Sequence, residues 1–295
     1  MGCTGISVYN RAGFFGVKMK AEDIHIQEMV ESVINTKKYR HVGLNPATVE
    51  DLIRQEAPHH TTIKATLKAV KRKLHNIVAP YLGEPDYPAL TEILWEIRDF
   101  SLNSEPLRAF CLQVLGQHAS TAERIPIMQD FYAQLFQVAG TPAVIHDLAC
   151  GLHPLAFPWM GLPTSVRYYA YDILQPRVDF INTFFTLIGL EPLAENRDIL
   201  VNPPRHPADL GIFFKEAHRF EKRQPGCNRI FWESLAVDKL AVSLPSRDLS
   251  GTHSLEEVHR KLVHANLPGN WRVEEILIKN EIVFLIDRTG VAEND

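Results

Sequence analysis

From about residue 140 onward short β-rich runs alternate with helical ones, and no other feature of the chain restricts its fold as tightly. "AVIHDLA" reads as a strand, followed by a turn and a short proline-interrupted helix. "VRYYAYDI" reads as a second strand, and "PRVDFINTFFTLIGL" as an amphipathic helix opened by Pro176 and closed by Gly189. A strand near "LAENRDIL", a strand at "ADLGIFF", a helix, a strand at "KLAVSLP" and a helix at "SLEEVHRKLVHA" follow. "RVEEILI" and "EIVFLID", joined at Lys279-Asn280, read as a hairpin on the sheet edge. The βαβ alternation predicts an α/β fold: a Rossmann-like, doubly wound, mostly parallel sheet covered on both faces.

The preceding region has a different texture. Between about residues 21 and 138 the periodicity is helical, which predicts an all-helical N-terminal subdomain ahead of a sheet domain at 139–295. In "TTIKATLKAVKRKLHNIVAPYL", Ile63, Leu67, Val70, Leu74, Val78 and Tyr81 form one apolar stripe. Lys64, Lys68, Lys71 and His75 form a parallel basic stripe, with Arg72 and Lys73 adding charge, before Pro80, Gly83, Pro85 and Pro88 break the chain. A basic stripe is commonly a solvated helix face. A second basic cluster, "KKYR" at Lys37–Arg40, adds an aromatic ring, and such a pair can hold phosphates by charge and a base by stacking.

Several classes are disfavoured. A net charge of −4 gives no global signal for nucleic acid, so any such contact must be local. No run of about 18 apolar residues is present to span a membrane. Residues 1–20 read as a loosely ordered leader without a signal-peptide core, and Ile6 breaks the myristoylation pattern. The four cysteines (Cys3, Cys111, Cys150, Cys227) form no C-x-x-C pair, which fits a reducing cytoplasm. Cys150 and His153, with His146 nearby, lack a second ligand pair, so no metal is expected.

The stretch "HDLACGLHPLA" places an acid, Asp147, at the end of the first sheet strand, with Gly151 just beyond. A ligand of such a sheet sits past the carboxyl ends of the strands, where their order reverses. Asp172 ends the second strand, 25 residues after Asp147, near the spacing at which an acid accepts from ribose hydroxyls. Asp198 and Ile199 end the third and are suited to flank an adenine. A dinucleotide wants several glycines over a helix N-terminus, and this loop offers one. That suits an adenosine ligand without phosphate, as S-adenosylmethionine is, whose tail needs acids, carbonyls and one cation. The plainer reading is that Asp147 and Asp172 are strand-end acids only.

"LGQHASTAERI", "DLACGLHPLA", "YDI" and "AVSLPSRDLSG", in this order and spacing, resemble the 16S ribosomal RNA guanine-N7 methyltransferases that confer aminoglycoside resistance. The similarity spans roughly residues 25 to 288. It implies a class I methyltransferase domain using S-adenosylmethionine, behind a helical region that docks on 16S rRNA in the 30S subunit, in a cytoplasmic protein expected to be monomeric. It implies that Arg124 holds the methionine carboxylate, with His118 shaping the same wall. Ala149 and Gly151 would line the methionine moiety, Asp172 would bind the ribose, Asp198 with Ile199 would frame the adenine, and Ile173 would also line the cofactor site. Lys215 falls where the methyl group meets its acceptor, and is the candidate catalytic residue. Lys64, Lys68, Lys71, Arg72 and Arg247 would face the RNA, and Phe157, Trp159 and Tyr169 are candidate platforms for a flipped base, although each is more commonly a core aromatic.

Three departures stand out. The family follows "SLGG" with an Arg/Lys/Gly-rich stretch, where this chain has "DLSGTHSLEEV". Asparagine is familiar where His153 stands, and "FPWMGLPTSV" is slightly long. These leave the cofactor site intact and bear on the acceptor. Another RNA or a small nitrogen heterocycle is the alternative substrate, and a non-catalytic RNA-binding relative the alternative from another class.

Overall fold

A computed structural model describes residues 21–78, 85–248 and 251–289, with the side chains of 21–24 left aside. The expected leader at 1–20, and Tyr81, Pro80 and Gly83 of the expected break, lie outside the described residues. Three helices come first: α1 (Ala21–Ile34), α2 (Pro46–Glu56) and α3 (Ile63–Val78). Asn45 caps α2 by accepting from the Ala47 N–H at 2.9 Å, and Pro46 occupies the first turn, where its missing N–H costs nothing. Val33, Val49, Leu52, Ile53, Val70 and Leu74 close a small core among these helices.

Four more helices precede the sheet: α4 (Tyr87–Glu96), α5 (Glu105–Leu115), α6 (Ala119–Ala122) and α7 (Met128–Ala139). Pro88 begins α4 rather than breaking the chain, with Asp86 as its cap. Leu94, Phe110, Val114, Phe131 and Leu135 share one core with Ile145, Tyr168 and Phe184 of the sheet domain. The expected all-helical subdomain at 21–138 is therefore divided by its packing. Only α1–α3 build a separate core, and α4–α7 cover one face of the sheet.

The sheet contains β1 (Val144–Leu148), β2 (Arg167–Asp172), β3 (Ala194–Asn196), β4 (Ala208–Phe214), β5 (Val237–Pro245), β6 (Arg272–Ile278) and β7 (Glu281–Asp287). Their order is β3-β2-β1-β4-β5-β7-β6. β1 to β5 pair in parallel, while β7 runs antiparallel to β5 and to β6. The predicted hairpin forms this edge, turning through Lys279 at φ 53°. α8 (Gln175–Ile188) follows β2 and ends at Gly189 in the left-handed region, as the Pro…Gly pattern requires. α9 (Ala217–Arg223) and α10 (Cys227–Ser234) link β4 to β5, and α11 (Glu256–Asn266) precedes β6. The strand order reverses at β1, between β2 and β4, and this places the ligand crevice at the ends of those strands.

The three-helix unit docks at that crevice. Leu44 pairs with Leu174, the Asn45 N–H donates to the Ile173 carbonyl at 2.8 Å, and the Gln175 N–H donates to the Gly43 carbonyl at 2.8 Å. Leu174 also enters the core of α1–α3, where its burial contributes about 1.5–3 kcal/mol. Gly43 has φ +62°, and a β-carbon there would lie 2.5 Å from Pro176 Cδ. Only glycine permits this approach.

Candidate functional site

Beyond β1 the chain turns through two left-handed residues, Ala149 (φ 56°) and Gly151 (φ 54°). An alanine held in that region costs on the order of 1–2 kcal/mol, offset by the packing around it. The turn brings the Gly151 N–H to Asp172 Oδ2 at 3.1 Å, and a β-carbon on Gly151 would meet open space. Asp172 also accepts from the Leu174 N–H (2.9 Å) and from Arg177 Nη1 (2.6 Å). Arg177 is buried and donates through Nε to the Tyr87 hydroxyl at 3.0 Å.

Around this turn lies a cavity of about 490 Å³, lined by Ala149, Asp172, Ile173, Asp198 and Ile199, and by Glu216, His218, Arg219, Phe220 and Arg223. That volume suits a nucleoside-sized ligand. Lys73, Asn76 and Ile77 of α3 supply another wall. A smaller lobe of about 30 Å³ adjoins it, lined by Ser120, Thr121, Arg124, Asp147, Gly151, His153, Phe214 and Lys215. The two lobes share Ala149 and Glu216. The site is thus long and pinched in the middle.

The small lobe is floored by a buried charge network. Arg124 donates from Nε to Glu281 Oε2 at 3.2 Å and makes a closer contact from Nη2 to Oε1. Its guanidinium lies between the rings of Phe131 and Phe214, 4.3 and 4.5 Å from their centroids. Lys215, left-handed at φ 60°, places Nζ 2.7 Å from Glu123 and 3.7 Å from Glu281. Burial by itself would raise the Glu281 carboxyl, but Arg124 and Lys215 outweigh it and hold it below the usual range. Asp147 accepts from the Tyr168 hydroxyl and pairs with His153 Nδ1, each at 2.8 Å. Arg124 and Lys215 each face an acid, which fixes both heads at the edge of the lobe.

A model of the ribosomal RNA methyltransferase family FmrO matches residues 35–285. The chain belongs to that family. A 16S rRNA (guanine(1405)-N(7))-methyltransferase of Frankia casuarinae is 29% identical over 289 residues, covering 94% of this chain and 99% of the relative. The solved 16S rRNA methylase RmtB superposes with a TM-score of 0.73 at 27% identity, covering 89% of this chain and 98% of that one. The 16S rRNA methyltransferase RmtF, solved in complex with S-adenosyl-L-homocysteine, shares the fold with a TM-score of 0.71 at 24% identity, over 89% and 98% of the two chains. As an FmrO-family methyltransferase, the chain takes S-adenosylmethionine as its methyl donor.

Of the site residues expected in this FmrO-family chain, Arg124, Ala149, Gly151, Asp172, Ile173, Asp198, Ile199 and Lys215 come together around the two lobes. His118 is buried at the start of α6 and lines neither lobe; its carbonyl receives the Thr121 and Ala122 N–H groups. Phe157 is fully buried in the main core, because the 3-10 turn His153–Trp159 runs beneath α5. Trp159 is half-buried and covered by the Arg108 guanidinium at 5.3 Å. Tyr169 sits mid-strand on the opposite face of the sheet, against His146 and His206. None of these aromatics lines the site, so the expected platform is corrected.

On the outer side, Lys64, Lys68, Arg72 and His75 are exposed along α3, and Lys71 is half-buried. Lys73 turns inward to Glu56 at 2.5 Å. Lys38 Nζ lies 2.9 Å from His75 Nδ1, which joins the "KKYR" turn to the stripe. Tyr39, however, is buried in the α1–α3 core and offers no ring for stacking. Arg247 is exposed, past the end of β5, and donates to the Gly251 carbonyl at 3.2 Å. His146 and His153 lie on opposite faces of β1, one against Tyr171 and the other against Asp147.

Arg177, Arg223, Glu281 and the α3 wall were not foreseen. Glu281 alone carried a signal, as the charged residue directly ahead of the apolar run "IVFLI". Among the described residues no group of three or more His, Cys, Asp or Glu side chains is placed to hold a metal ion, and no helix is long and apolar enough to cross a membrane.

Proposed function

We propose that the chain transfers the methyl group of S-adenosylmethionine to N7 of a guanine in 16S ribosomal RNA presented by the 30S subunit. One observation carries this reading: a single cleft in which a nucleoside-sized lobe edged by Asp172 and Asp198 narrows at Ala149 to a lobe floored by Arg124. Asp172 is the acceptor for ribose hydroxyls, Asp198 and Ile199 flank the adenine, and Arg124 receives the methionine carboxylate. The cofactor, when bound, supplies an electrophilic methyl group. Guanine N7 carries an in-plane lone pair and no proton, so the protein's task is to position the base and exclude water. Lys215, fixed by Glu123 and Glu281, is a donor suited to the guanine O6 beside N7. The exposed cations of α3, with Arg247, contact phosphates and set the register of docking.

The test offers purified 30S subunits, free 16S rRNA and guanosine, each with methyl-labelled cofactor. Label in 30S subunits that maps to a guanine N7 is the expected result, and expression in a susceptible bacterium then raises aminoglycoside tolerance. The neutral to acidic sequence after β5, "DLSGTHSLEEV", where the family has an Arg/Lys/Gly-rich stretch, favours a second reading in which the acceptor is another RNA or a small heterocycle. Label in free RNA or guanosine alone would move that reading ahead.

A further inference from the structure

The expected role of α3 was outward, toward RNA. Its inner edge nevertheless supplies Lys73, Asn76 and Ile77 to the wall of the large lobe. A second contact joins the same helical unit to the opposite wall. Arg223, at the end of α9, is a buried fork: Nη2 donates to Asp51 of α2 at 2.9 Å, and Nη1 lies 2.8 Å from Asp198 Oδ2. Asp198 Oδ1 in turn accepts from the Leu200 N–H at 3.1 Å, fixing the loop that carries Ile199. Gln55 reinforces the junction, donating to Asp51 at 3.0 Å and to Gln224 at 3.3 Å. The adenine-flanking pair therefore depends on a cation whose other half is held by the three-helix unit.

We propose that Arg223 is a positioning residue that links Asp198 to Asp51, so that filling the cofactor cleft fixes the three-helix unit and strengthens its docking on RNA. The inference rests on the cofactor reading given above. A guanidinium suits this task because its planar donors engage two carboxylates at once, whereas an ammonium on a flexible stem does not reproduce the fork. Ligand that seats against Ile199 and Ile77 touches both bodies, so it binds their docked arrangement better than any arrangement in which they part. Differential affinity of this kind is what shifts an equilibrium. By linkage the effect is reciprocal: the factor by which cofactor tightens RNA binding is the factor by which RNA tightens cofactor binding.

The test uses the full chain with S-adenosylhomocysteine as the probe. Calorimetry first measures its binding. Hydrogen exchange across residues 46–78 is then followed with and without saturating probe, in wild type, Asp51→Asn and Arg223→Lys, with melting curves to confirm folding. In wild type, exchange of this segment is expected to slow about five-fold or more, the lower end of typical coupling factors. Asp51→Asn, which lies outside the cleft, should still bind the probe yet lose most of that protection. Arg223→Lys should lose it too and bind the probe more weakly, because it also loosens Asp198. Affinity for 30S subunits should rise with probe by a similar factor in wild type and by less than two-fold in the variants. Binding without protection of 46–78 in wild type would overturn the coupling and leave the cofactor reading intact. Equal protection in wild type and both variants would overturn the role of Arg223. Absence of calorimetric binding in folded wild type would overturn the cofactor reading, and this inference with it.

Discussion

The cleft and the outer face of α3 hold charge in opposite ways. In the cleft Arg124, Arg177 and Arg223 are buried, and each meets an acid at a fixed distance: Glu281, Asp172, and Asp198 with Asp51. On α3 the cations Lys64, Lys68 and Arg72 stand in solvent. Buried pairs fix geometry and are costly to break, while exposed ones contribute little to stability and are screened by salt. The contrast teaches that specificity for the small ligand is built into the fold. On the proposed reading, attachment to RNA draws on the charge density of this exposed face.

The strongest challenge to this division is Asp172→Ala. It removes the proposed ribose acceptor and deprives buried Arg177 of its carboxylate partner. Loss of one member of such a pair costs about 3–5 kcal/mol, so both melting temperature and cofactor affinity should fall steeply. Wild-type values for either would contradict the assignment. Next comes Arg124→Ala, for which calorimetry should show cofactor affinity lowered by about 1.5–3 kcal/mol, the worth of hydrogen bonds to a charged group. Arg124→Lys should recover part of this.

Replacing Lys64, Lys68, Lys71 and Arg72 together by alanine probes the other region. Filter binding of 30S subunits across a salt series should show weaker binding, with a log–log salt slope shallower by about three, at roughly 0.7–0.9 per lost phosphate contact. Cofactor affinity and melting temperature should stay put, with each surface change worth under about 0.5 kcal/mol. Equal slopes for the two proteins would remove the docking role from this face.

The smallest effect concerns acid. Burial, then His206 and Arg197, push His146 down to about 3, and burial pushes His218 down to about 4. Their ordinary value is 6.5, so below it the unfolded chain binds protons that the folded one refuses. Stability is therefore complete above about pH 6.5 and declines as pH falls toward 3, by at most about 1.4 kcal/mol per unit for each group. In denaturant titrations from pH 7 to 5, His146→Phe should show a shallower decline than wild type. Parallel curves would show that this histidine plays no part.

Much of the cleft was legible because it is local. "DLACGLHPLA" and "YDI" each carry an acid at a strand end, and strand periodicity puts Asp147 and Asp172 at the same end of the sheet, two residues apart in register, once the strands pair. The hairpin at Lys279-Asn280 was equally plain. Arg223 and Asp51 are 172 residues apart, and neither carries a local sign of the other. Only the docking of α2 on α9 creates their contact. The aromatics failed for a related reason: strand and helix periodicity gives a face, and Phe157, in a proline-rich turn, has no regular period to assign one. Helical texture up to residue 138 cannot tell whether α4–α7 pack on α1–α3 or on the sheet, and their packing on the sheet was not legible.

Gly43 turns the junction between the two bodies into a joint without clearance. Its hydrogen-bonded neighbours Leu44 and Asn45 seat on Ile173 and Leu174, the residues that immediately follow Asp172. A side chain at 43 would have to displace Pro176, and with it the first turn of α8, which also carries Arg177. One added methyl group would then act as a wedge, tilting the basic face of α3 and loosening Asp172 in a single movement. The tolerance of the whole machine is set where it carries no charge at all.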